Sequence, residues 1–122
     1  KVQIMNAKNH DKILAITSHM PHLISYSIVC SSLNVNAKEK SQIIKFSAGG
    51  FRDFTRIAAS DAIMWRDIFL NNKTNLLKII KEFEKSLNLL KNYIKKNNSK
   101  KLQEIFLKTR KIRKLIEKEK QE

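Results

Sequence analysis

Two glycines, one proline and one cysteine in 122 residues leave this chain with few means of breaking or stapling its structure. The shortage of Gly and Pro excludes the closely spaced turns that sandwiches and barrels need. The lone Cys30 excludes an internal disulfide, and its setting in "SIVCSSL" is that of a small packing residue, which suits a reducing compartment. No uninterrupted apolar run reaches the length of a membrane span, and no charged-then-apolar leader precedes the first helix. A soluble, cytoplasmic protein without a membrane partner is therefore expected. Because the chain opens on Lys1 rather than methionine, a feature it lacks is not taken to be lacking from a longer parent.

Acidic residues are scarce too. Eleven Asp and Glu face 25 Lys and Arg, a formal net charge of +14. Taken alone, that excess suggests a nucleic acid or another anionic surface. Much of it falls after residue 90, in "KNYIKKNNSKK" and "KTRKIRKLIEKEK", where Glu104, Glu117 and Glu119 are interspersed, and lysine is abundant throughout. A solvated basic face accounts for this pattern better than an anion-binding one. A basic helical module for nucleic acid stays open as an alternative, although neither a helix-turn-helix nor an aromatic stacking platform is visible and no specific nucleic acid is expected.

What the chain does have is apolar residues at helical spacing almost throughout, in a length that suits one domain. An all-α fold is expected, an elongated helical domain with long helices and a carboxy-terminal helical hairpin. The first helix is predicted from Asn9 or His10 to Leu33, with Ile13, Ile16, Met20, Leu23 or Ile24, and Ile28 as its buried stripe. A shorter helix covers Ala37 to Phe46. After the glycine pair, "FRDFTRIAAS" and "DAIMWRDIFLNN" read as two short helices with Ser60 or Asp61 as the cap between them. Leu76, Ile80, Phe83, Leu87, Leu90 and Ile94 then form an apolar seam, and Leu102, Ile105 or Phe106, Thr109, Ile112 and Ile116 repeat it after "KKNNSKK". So much apolar surface on so few helices predicts a homodimer.

Two stretches carry polar chemistry. In "SHMPH", Pro21 removes one amide from the helical ladder and presses on the carbonyl of Thr17, so a bend is expected there. Ser18, His22 and Ser25 would share one face, with His19 and Tyr26 on its flank. That strip reads either as one wall of a polar pocket or as a kink with a satisfied histidine. Three-residue histidine spacing, with His10 and Asp11 the nearest other donors, is thin ground for zinc, and no metal is expected. In "SAGGFRDFTRIAASD", Gly49 and Gly50 could take left-handed angles or let a ligand come close. Arg52 and Arg56 lie one turn apart, with Asp53 beside them to hold one guanidinium while the other stays free to grip a carboxylate. A helix stop followed by a surface ion pair is the plainer reading.

The two stretches together, "HDKILAITSHMPHLISYSIV" and "AGGFRDFTRIAASDAIMWRDIFLNNKTNLLKIIKEFEKSLNLL", resemble the carboxy-terminal helical dimerisation domain of the prephenate dehydrogenase family, which includes arogenate and cyclohexadienyl dehydrogenases. The likeness runs from about His10 to Leu90, and departs at Met20, where leucine is usual, and at Ala62, where proline is. It implies a part of an enzyme of tyrosine biosynthesis that oxidises prephenate or arogenate, by hydride transfer to NAD or NADP with loss of carbon dioxide. Residues 1–122 would then supply the substrate side and the dimer interface. The cofactor would be held by an amino-terminal dinucleotide-binding domain outside this chain, since two adjacent glycines cannot make the G-x-G-x-x-G turn. By resemblance, Arg56 would hold a substrate carboxylate and His22 would help bind the substrate. His19, Gly49, Arg52, Asp53 and Trp65 would surround the pocket, with Asp53 in an ionic network and Trp65 against the ring. A purely structural dimerisation module differs only in denying the pocket.

Overall fold

A computed structural model describes residues 5–121, and every regular element among them is helical. The chain divides into two units, Lys1–Ile80 and Lys81–Glu122.

In the first unit, helix α1 (Ala7–Leu14) begins where the Asn6 side chain accepts the Asn9 amide at 2.8 Å, slightly ahead of the predicted start. It runs without interruption through a wide π-turn, Ala15–His19, into α2 (Met20–Ser32). Where a bend is expected at Pro21, the helix widens over the five residues before Met20. Its extra residue puts Pro21 in the first turn of α2, where a helix does not need the missing N–H. Within it, the Thr17 hydroxyl donates to the Ile13 carbonyl at 3.0 Å.

The wide turn also moves the buried line. Ala15, His19 and Ser25 are covered, whereas Ile13 and Ile16 of the expected apolar stripe lie 39% and 37% exposed. Small and polar residues face the neighbouring helices because they allow close approach, and the larger aliphatics stay at the chain's surface. The run Ala7–Ser32, 26 residues with a window of mean hydropathy 1.3, is long and apolar enough by those measures to cross a membrane. Averaged hydropathy detects what a search for uninterrupted apolar runs passes over. Yet His19, His22 and Ser25 lie inside it and engage the rest of the unit.

Helix α3 (Ala37–Lys45) is capped by Asn36, whose side chain accepts the Glu39 amide at 2.9 Å. Helix α4 (Gly49–Thr55) opens on the glycine pair and tightens into a 3₁₀ turn, Arg56–Ala59. Neither glycine has a positive φ, and a Cβ at either would meet nothing within 4 Å. The left-handed angles considered for them are therefore absent. Asp61 is the cap of α5 (Ala62–Asn71), accepting the Met64 amide at 2.9 Å, which puts Trp65 on the second turn. Asn72 alone separates α5 from α6 (Lys73–Lys95). Both α4 and the 3₁₀ turn pack against α2.

In the second unit, α6 ends on Asn97 in the left-handed region, φ 53°. The Asn98 amide bonds back to the Tyr93 carbonyl at 2.8 Å and the Asn97 amide to that of Ile94 at 3.1 Å, the paired bonds of a Schellman cap. The Asn98 side chain then accepts the Lys101 amide at 3.2 Å and starts α7 (Ser99–Gln121). The polar turn predicted at "KKNNSKK" is built from those two asparagines. Along the seam, Leu76 is 5% exposed, but Leu87, Ile94, Phe106, Ile112 and Ile116 each expose half or more of their surface. The periodicity is as expected, and much of the seam is left open within one chain.

Candidate functional site

The site is built around Trp65. One turn into α5, the indole is 8% exposed and receives α2 across its face. The His22 ring stacks on it at 3.5 Å between centroids and 15° between planes, while His19 meets it edge-on at 6.1 Å and 82°. Phe69, a turn further along α5, stands at 64° to Trp65 and edge-on to Tyr26. Trp65 is thus one of the buried apolar residues of this unit, covered by His22, His19 and Phe69.

The two histidines are held differently. The His22 Nδ1 lies 2.9 Å from the Ser18 carbonyl. A carbonyl only accepts, so Nδ1 carries a proton there, and in that tautomer the lone pair is on Nε2. His19 is 8% exposed, and its Nδ1 lies 3.2 Å from the Asn72 amide nitrogen. Burial lowers its pKa from the usual 6.5; the neighbouring His22 lowers it further and Asp11 partly opposes this. His19 is therefore uncharged at neutral pH. The wide turn brings it to the indole rather than leaving it on the flank of α2, as uniform α-helical spacing predicts.

The arginine segment reaches the same neighbourhood through the backbone. Ser25, wholly buried on α2, donates its hydroxyl to the Phe54 carbonyl at 3.0 Å, tying the end of α4 to the helix that carries His22. Arg56 follows two residues later on the 3₁₀ turn, with its side chain exposed. Arg52 turns back to the Ser47 carbonyl at 3.4 Å, and Asp53 makes no ion pair among the described residues. The Asp53–arginine pairing that the spacing suggested is thus not made. Gly49 begins α4, beneath open space.

Two residues that carry much of the geometry, Asn72 and Asn75, have no motif to mark them in the sequence. Asn72 donates to the Asp11 carbonyl at 2.7 Å as well as facing His19, and the Asn75 side-chain amide donates to the Asn72 Oδ1 at 2.9 Å. An asparagine pair after an amphipathic segment reads as a helix end, and only the fold brings it to the histidine. The Tyr26 hydroxyl is buried without a partner among the described residues.

Fold and side-chain packing together define an all-helical domain in which two histidines pack on a buried tryptophan. Comparison with known proteins names its family: residues 6–109 match the family described as "Prephenate dehydrogenase, dimerization domain", and the chain belongs to it. It is 37% identical over 113 residues to a cyclohexadienyl dehydrogenase of Zymomonas mobilis, covering 93% of this chain and 39% of that protein. Against a prephenate dehydrogenase of Lactococcus lactis it is 38% identical over 117 residues, covering 96% of this chain and 33% of the relative. It therefore spans between a third and two fifths of the length of these curated relatives. Among solved structures, a prephenate dehydrogenase of Aquifex aeolicus, in complex with hydroxyphenyl propionate and NAD+, superposes with a TM-score of 0.82 at 43% identity, over 94% of this chain and 40% of that one. A Synechocystis arogenate dehydrogenase shares the fold, with a TM-score of 0.87 at 20% identity over 93% of this chain and 41% of that one.

Proposed function

We propose that this chain is the substrate-side and dimerisation part of a prephenate dehydrogenase-like enzyme, which oxidatively decarboxylates prephenate or arogenate with NAD or NADP. The observation that carries the reading is the His22–Trp65 stack on the helix tied to the arginine-bearing turn. Trp65 supplies a flat apolar wall for a six-membered ring. His22 supplies an acceptor at Nε2 for a hydroxyl, or a donor to a carboxylate when protonated. Arg56 supplies an exposed planar fork for a carboxylate, with His19, Gly49, Arg52 and Asp53 around it. A dianionic substrate suits a site with this many cationic and hydrogen-bonding groups.

The residues present do not fit a dinucleotide. Both glycines lie in the first turn of α4, and no strand-to-helix phosphate loop occurs among the described residues. The cofactor, which accepts the hydride, is accordingly assigned to a separate domain, and this chain's share is to bind, orient and dimerise.

The test is Arg56→Lys in the full-length enzyme. Lysine keeps the charge and loses the two-pronged grip, so the KM for prephenate should rise roughly ten- to a hundredfold while that for the cofactor stays put. Unchanged KM and turnover for prephenate would remove Arg56 from the site.

A further inference from the structure

The hydrogen bonds of Asn72 fix more than a helix junction. Asparagine at the start of a helix ordinarily turns its side-chain oxygen to a backbone amide of the first turn. Here the side chain reaches across to α1 and to the π-turn instead. Its orientation follows from its partners. The Asp11 carbonyl, 2.7 Å away, also takes the Ala15 amide and can only accept, so the nitrogen of the Asn72 side chain must face it. The Asn72 oxygen is held from behind by the Asn75 amide at 2.9 Å. The second Asn72 N–H then points at His19 Nδ1, 3.2 Å away, and that nitrogen must offer its lone pair. A neutral imidazole with Nδ1 as acceptor carries its proton on Nε2.

We infer that Asn72 is a positioning residue: it holds His19 as the neutral Nε2–H tautomer, so that this ring presents a hydrogen-bond donor to the substrate while its neighbour His22 presents an acceptor. The inference rests on the substrate-site reading above. The two rings flank one indole but are locked in opposite senses, His22 by the Ser18 carbonyl on its Nδ1 and His19 by an amide donor on its Nδ1. A donor next to an acceptor distinguishes a ligand carrying both a hydroxyl and a carboxylate from one carrying two carboxylates alone. Burial keeps His19 from taking a second proton, which would also set a ring N–H against the Asn72 donor.

Two measurements decide it. In 15N NMR of the histidine-labelled chain at neutral pH, His19 should show an unprotonated Nδ1 and a protonated Nε2; the reverse tautomer, or an even mixture, would overturn the assignment. In the full-length enzyme, Asn72→Asp replaces the amide donor by an acceptor and should draw the proton to Nδ1. The KM for prephenate should then rise about tenfold or more, a change of the size of one lost hydrogen bond, with the cofactor KM unmoved. In a His19→Gln background, where a side-chain amide supplies the donor with no tautomer to choose, the same substitution should cost nothing further. An equal loss in both backgrounds would mean that Asn72 serves only the fold. Arg56→Lys separates the two levels: an unchanged prephenate KM there overturns the site reading, whereas a raised one together with an indifferent Asn72→Asp overturns only the role given to Asn72.

Discussion

At the scale of single residues, His19 has a measurable consequence for stability. Its pKa is lowered in the fold, so between that value and the unfolded value near 6.5 the unfolded chain binds more protons than the folded one. Stability must therefore rise with pH across that window: the contribution is complete above about 6.5 and is lost as the pH falls through the folded value. Denaturation followed from neutral to mildly acidic pH should show this loss, and His19→Gln should flatten it. A variant whose stability falls just as steeply would remove His19 as the source of the effect. "SHMPH" marked both histidines as functional candidates, but their separate protonation patterns were not legible there. Those depend on a carbonyl one turn away for His22 and, for His19, on Asn72, which lies 53 positions along the chain.

At the scale of elements, local rules decided most of the architecture. Asn6, Asn36 and Asp61 cap the helices they precede, each through a side-chain oxygen within 2.9 Å of a first-turn amide. The Asn97–Asn98 turn is the sharpest case. Asn97 tolerates the left-handed region better than residues other than glycine. Asn97→Gly should leave thermal stability unchanged or slightly raised, and Asn97→Ala should cost about 1 kcal/mol, since an alanine Cβ is strained at positive φ. Equal melting temperatures for the two variants would count against a Schellman cap in solution. The π-turn was the element least visible beforehand. A proline inside an apolar helical pattern announces a disturbance, but whether the chain kinks or widens is settled by what packs against it. Here the packing of His19 on Trp65 accompanies the wide form.

At the scale of the whole molecule, the covered apolar core is small. Only Ala15, Trp65 and Leu76 are buried among the apolar residues described, while Leu115, Ile94 and Phe106 are 65%, 63% and 56% exposed. Apolar surface on that scale favours association. The chain should sediment as a dimer at micromolar concentration and should not reduce nicotinamide cofactor by itself. A charged replacement at one of its most exposed apolar positions, Leu115→Glu, should weaken the dimer while leaving the helical circular dichroism intact. A monomeric parent chain would contradict the proposal. Lys85–Glu82, Lys101–Glu104 and Arg113–Glu117 are exposed pairs along α6 and α7, of the kind that contributes little to stability.

The sequence by itself determined the helical class, because apolar residues at helical spacing, with little glycine or proline to interrupt them, favour a structure whose backbone hydrogen bonds close within the segment. Helix caps are local too, since each needs only residues within one turn of it, although the first helix starts at Ala7, ahead of the position expected from its apolar spacing. Tertiary structure alone decided which side of the first helical run is buried. The π-turn shifts the register, so Ala15, His19 and Ser25 face inward while Ile13 and Ile16 do not. It likewise decided that Trp65 lies under His22, that Ser25 ties down the turn before Arg56, and that Asn72 meets His19. Each of those contacts joins residues 29 or more positions apart. Hydrogen-bond partners at that separation are chosen by packing, which no local pattern of residues encodes.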